Sequence, residues 1–252
     1  MRAKCGVPTA PLAFALAVLV FLAFAVESAL GFGAMLLSLA LGSLVVPIDT
    51  LLPALVPLNL GLSITLAARN ARSIDVPFLL RRLLPWMALG LPGGILLRNL
   101  ADRGLLVRSF GVFVVAVALL ELGRARRSAP LVPLPATGER GILLAGGIIH
   151  GAFATGGPMA VYVASRALPD KGVYRATLSV LWVVLNTVVV ASLALGGQLD
   201  GAAASLSLVL APGCVLGLFA GEILHRRAGV ATFRLLVYGL LALAGAVLVA
   251  RG

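Results

Sequence analysis

The chain has 252 residues, 61% of them apolar and only 12% charged, with a formal charge of +11, whereas a soluble domain carries roughly 25% charged residues. These proportions exclude an ordinary soluble enzyme, and 29 Gly and 14 Pro set inside apolar segments without a collagen period exclude fibrous and disordered chains too. The 20 Lys and Arg lie between apolar runs, not on one solvated face interleaved with aromatics, so no nucleic-acid partner is expected and lipid headgroups are the better match.

The first thirty residues have the outline of a secretory signal, with Arg2 and Lys4, an apolar stretch and then Glu27-Ser28-Ala29. Apolar sequence resumes at once and a related segment recurs deep in the chain, so no cleavage is expected. Along the chain follow about eight predominantly apolar runs, at 11–46, 50–68, 76–97, 104–122, 141–165, 176–197, 201–222 and 230–250. A membrane crossing takes about 20 apolar residues, and only helices satisfy their own backbone in such long continuous runs. The expected fold is an all-α polytopic membrane protein. The run 11–46 would extend about 54 Å as one helix, too long for one crossing, and it is interrupted by Glu27, Gly31 and Gly33. Run 141–165 is interrupted in the same manner at His150, Gly151, Gly156, Gly157 and Pro158. Both read as broken helices or hairpins.

Positive charge favours the hairpin form. With single crossings the 20 Lys and Arg divide almost evenly, but with both runs as hairpins 14 fall on one side and six on the other. The positive-inside rule then places the loops at 69–82, 124–140, 166–175 and 226–234 in the cytoplasm and both termini outside, in a cell (inner) membrane.

The order of features occurs twice. Gly33-Ala34-Met35 matches Gly157-Pro158-Met159 at an offset of 124, Asn59 matches Asn186 at 127, Pro92-Gly93 lies near the place of Pro212-Gly213, and Arg108 matches Arg234. The expected organisation is a first repeat at 1–123, a loop at 124–140 and a second repeat at 141–252. Each repeat is a broken-helix or hairpin element plus three transmembrane helices, and the odd number of crossings makes the repeats inverted, a common plan among secondary transporters.

Chemistry is expected in the few polar residues within apolar runs. Glu27 and His150 hold nearly equivalent places and are candidates for proton coupling. Gly31, Phe32 and Gly33, with Thr155, Gly156, Gly157 and Pro158, free the backbone to break a helix and present N–H groups to an anion. Asn59 and Asn186 must find hydrogen-bond partners, as substrate contacts or helix bridges. Arg175, at the mouth of the sixth run, is a further anion candidate. Cys5 and Cys214 make neither a disulfide framework nor a zinc site, and His150 and His225 supply no protease centre. The absence of a Gly-x-x-x-x-Gly-Lys-Ser/Thr loop excludes ATP hydrolysis in this chain.

The segment Gly146-Gly-Ile-Ile-His-Gly-Ala-Phe-Ala-Thr-Gly-Gly-Pro-Met159, followed by Tyr174-Arg-Ala-Thr177, together with Leu30-Gly-Phe-Gly33 in the first half, resembles the sulfite exporter TauE/SafE family in its Gly-Pro-containing branch, from about residue 12 to 250. The resemblance implies a secondary permease exporting small anions such as sulfite or organosulfonates, without an ATPase of its own. The expected partners are a small anionic substrate and the lipid bilayer, with no cofactor and no metal. A homo-oligomer is left open, as are a channel or a membrane scaffold in place of a carrier; an intramembrane enzyme is the remotest alternative.

Overall fold

The computed structural model describes residues 9–125, 134–227 and 231–251. Arg2, Lys4, Cys5, Arg126 and Arg127 lie outside them, as do the side chains of His225, Arg226, Arg227 and Arg234. Among the described residues the chain is helical throughout, without strands.

Every apolar run is a helix or a broken pair of helices. The first gives α1 (Ala10–Leu30) and α2 (Ala34–Gly42), and the second gives α3 (Ile48–Arg69). A 3-10 turn at Ala71–Ser73 leads into α4, residues 76–100, which carries a π-helical stretch at Leu79–Leu83. Next is α5 (Arg103–Ala125). The fifth run gives α6 (Ala136–Phe153) and α7 (Gly157–Ala167), and α8 (Lys171–Leu195), α9 (Gly201–Arg227) and α10 (Ala231–Arg251) complete the chain. Five helices among the described residues are long and apolar enough to cross a membrane, namely Ala10–Leu30, Ile48–Arg69, Arg103–Gly123, Lys171–Leu195 and Gly201–Leu224. The chain is a multi-pass membrane protein.

Both interrupted runs are hairpins. A Cβ at Gly42, the end of α2, would lie 3.7 Å from the Leu16 side chain two-thirds of the way back along α1. In the second half, a Cβ at Gly146 would lie 2.8 Å from Cβ of Met159, so α7 doubles back on α6. Nine residues of α2 rise only about 14 Å, too short to span a hydrocarbon core of about 30 Å.

The main interfaces pair up when the halves are exchanged. Helix α1 packs on α9 as α6 packs on α4, while α5 meets α10 and α3 meets α8. Glycine builds these contacts. A Cβ at Gly94 would overlap the Ile148 carbonyl oxygen, and one at Gly147 would overlap that of Met87. In lipid, small residues let helices approach until dispersion and Cα–H···O contacts hold them. The α1–α9 interface has its glycines on α9 alone, with Gly213, Gly217 and Gly221 against the backbone of Ala17, Phe21 and Ala25.

The helix ends at the two breaks are offset by one residue from the sequence match. Gly33 is the N-cap of α2 and Gly156 the N-cap of α7, an offset of 123, not the 124 that set Gly33 against Gly157. Gly157 lies inside α7, as Ala34 lies inside α2.

Candidate functional site

The two breaks stop their helices alike and restart them differently, with N-cap Gly33 at φ 116° and N-cap Gly156 at φ −66°. Helix α1 ends at Gly31, in the left-handed region at φ 85°, and its N–H bonds the Glu27 carbonyl at 2.7 Å. Helix α6 ends at Ala154, at φ 55°, and its N–H bonds the His150 carbonyl at 2.7 Å. Left-handed backbone is the ordinary way to stop a helix, at little cost for Gly31 and with strain for Ala154. Glu27 and His150 therefore occupy the same position, one turn before the break.

A buried chain of hydrogen bonds joins these two side chains. Oε2 of Glu27 accepts from the backbone N–H of Ala34 at 2.7 Å, so the carboxylate sits on the N-terminus of α2, where partial positive charge and an orphan donor favour it. Its Oε1 accepts from Nδ2 of Asn59 at 2.8 Å. Oδ1 of Asn59 accepts from Nδ2 of Asn186 at 2.8 Å, and Oδ1 of Asn186 lies 3.2 Å from Nε2 of His150. A carboxylate only accepts, so each amide must turn its NH2 toward Glu27 and its oxygen away. That polarity reaches the imidazole, where Nε2 is the donor to Asn186. All four residues are buried.

Around this chain lies a small cavity, with about 20 Å³ open to the centre of a water-sized sphere, about enough for one water molecule. Glu27, Phe32, Asn59, His150, Thr155 and Trp182 line it, together with Gly33, Met35 and Leu36 from the first break and Ala154, Gly157 and Pro158 from the second. Two buried polar atoms of this lining, Nδ1 of His150 and Oγ1 of Thr155, have no hydrogen-bond partner. Such groups are costly to leave unpaired. Both belong to the second half, beside the N-terminus of α7.

Of the residues singled out from sequence, Glu27, Phe32, Gly33, Asn59, His150, Thr155, Gly157 and Pro158 line the cavity, and Asn186 joins through the hydrogen-bond chain. Gly31 and Gly156 stand just outside it. The Gly31 carbonyl accepts from Trp182 Nε1 at 2.8 Å, and Gly156 is pressed on the carbonyl of Gly146. Arg175 is buried elsewhere. Its Nη1 donates to the Ser28 carbonyl and to Oε2 of Glu222, both at 2.9 Å, so its charge is met by a carboxylate of the chain. Two residues on, the Thr177 hydroxyl accepts from the N–H of Asp75 at 3.0 Å. The Arg-Ala-Thr segment thus ties α8 to α1, α9 and the start of α4.

Sequence reasoning passed over Trp182 and Arg98. The Trp182 ring stacks on His150 with centroids 5.6 Å apart and planes 10° from parallel, one turn before Asn186 on the same face of α8. Its place four residues from a buried Asn was the available signal.

The family model described as Sulfite exporter TauE/SafE matches residues 16–248. No curated protein and no solved structure matches the chain.

Proposed function

The chain belongs to the sulfite exporter TauE/SafE family, a family of membrane transporters, and from that premise we propose that it is a proton-coupled secondary carrier that holds a small oxyanion in the cavity between its two broken helices. The observation that carries this reading is the polarised chain Glu27–Asn59–Asn186–His150, which ends in an unpartnered imidazole nitrogen beside the unpartnered Thr155 hydroxyl.

The roles follow from the donors and acceptors. Glu27 accepts at both oxygens and acts as the fixed charge that orients the two amides. Thr155 donates its O–H to the substrate, and the N-terminus of α7 adds dipole and N–H groups. A proton taken up at Nδ1 of His150 turns the ring into a cation with its new N–H directed to the anion, so proton and anion are bound together and move in the same direction. Phe32 and Trp182 add aromatic rings to the cavity lining. The exchange symmetry of the interfaces and the 14-to-six division of Lys and Arg support inverted repeats in a cell membrane, with the richer side cytoplasmic. Rocking one repeat against the other would open the cavity to alternate sides. Sulfite, organosulfonates and small carboxylates are the substrates to try first.

The test is flux into proteoliposomes with each of these anions, with and without a pH gradient. Saturable flux that rises as the loading side is acidified, and that loses this dependence in His150→Gln, is the expected result. Flux that neither saturates nor responds to the gradient contradicts a coupled carrier and favours a channel.

A further inference from the structure

Among the described residues, Arg98 is a partly buried arginine whose hydrogen bonds all go to neutral acceptors. Arg175 meets Glu222, and Arg82 meets Glu139 through a two-pronged pair. Arg98 lies in the last turn of α4. Its Nη1 donates to the Gly151 carbonyl at 3.3 Å and its Nη2 to Oγ of Ser192 at 2.8 Å, both neutral acceptors, and its buried Nε has no partner. Asp102, the acid nearest in sequence, has its oxygens on the N–H groups of Gly104 and Leu105. A guanidinium offers five donors, so two bonds leave three of them and a whole positive charge unanswered in a partly buried place. Buried charges are ordinarily paired. Gly151 directly follows His150 on α6, which puts this cation one residue along the helix from the end of the hydrogen-bond chain.

We propose that Arg98 is a second oxyanion-binding site, distinct from the cavity and adjoining the break of α6, with Ser192 orienting the guanidinium. The inference rests on the carrier reading for its purpose, as a station the anion occupies on its way to or from His150 and Thr155. Its chemistry does not depend on that purpose. The charge and the remaining Nη hydrogens of the guanidinium suit an oxyanion. A lipid phosphate has the same chemistry, and the two sources are told apart by experiment.

The experiment titrates the purified full chain, in a sugar detergent stripped of phospholipid, with sodium sulfite by calorimetry. Two sites per chain are expected, one lost in Arg98→Gln and the other lost in Thr155→Ala, with Arg98→Lys weakening its site by roughly tenfold as the fork becomes a point charge. Matched melting temperatures of Arg98→Gln and the native chain separate lost binding from lost folding. If Arg98→Gln fails to fold, Arg98→Lys and Ser192→Ala carry the test by the same readout. One site, lost in Thr155→Ala and kept in Arg98→Gln, overturns the Arg98 site and leaves the carrier reading standing. One site lost only in Arg98→Gln does the reverse, and no binding overturns both. If added phosphatidylglycerol removes the Arg98 site alone, its occupant in the membrane is a lipid phosphate and the station is overturned.

Discussion

The two broken helices stop in the same left-handed way and carry opposite chemistry. In the first, Glu27 reaches across the break and places its own carboxylate on the N–H of Ala34, so the N-terminus of α2 already holds an anion built into the chain. In the second, the equivalent residue is His150, bonded to Asn186 instead, and no carboxylate among the described residues caps α7. Here Nδ1 of His150 and Oγ1 of Thr155 stand unpartnered. One break is closed by a resident charge, and on the reading proposed above the other is left to take a charge from outside.

The largest effect is expected at the resident charge. Glu27→Ala would strand the Ala34 N–H and the Asn59 amide in a buried site and remove the group that orients the chain. We expect a loss of about 3 kcal/mol of stability, seen as a lower melting temperature in detergent, together with loss of flux at every pH. Glu27→Gln keeps the shape and one acceptor, and should lower flux alike across pH without flattening the pH dependence. If it does flatten that dependence, the proton belongs to Glu27 and the division between the halves fails.

Thr155→Ala should leave folding intact and cost about 1 kcal/mol of substrate binding, close to a fivefold rise in KM, with Thr155→Ser near the native value. Smaller effects test the shared left-handed stop. Ala154→Gly should relieve left-handed strain and stabilise by up to about 1 kcal/mol, whereas Gly31→Ala should cost about 1–2 kcal/mol. Gly31→Ala also sets a Cβ 3.4 Å from the Arg175 backbone. Equal responses in thermal melts would mean that the breaks are not held alike.

Much of this was legible in one dimension. Hydrophobic runs report helices because backbone groups in lipid must be paired within the segment, and the excess length of 11–46 with its glycines reports a break. Glu27, His150, Asn59 and Asn186 stood out because polar side chains are costly in apolar runs. Their connection did not, because the bond between Asn59 and Asn186 spans 127 positions and no local pattern encodes it. Arg175 shows the limit from the other side. An arginine at a helix mouth reads as an anion ligand until the fold brings Glu222, 47 residues later, against it. Trp182 and Arg98 escaped notice because an aromatic or an arginine near a helix end is ordinary in a membrane protein, and only the partners of each set it apart.

The most direct test of the division between the halves is to make the second break copy the first. His150→Glu places a carboxylate one turn before the break of α6, where it can cap α7 as Glu27 caps α2. Sulfite binding to the purified variant, measured by calorimetry alongside its melting temperature, decides the matter. The account predicts a folded protein, as stable as the native chain or more so, that has lost the anion site Thr155→Ala also loses. Binding at that site with native affinity would contradict it, because an anion would then be accepted where the chain had supplied its own.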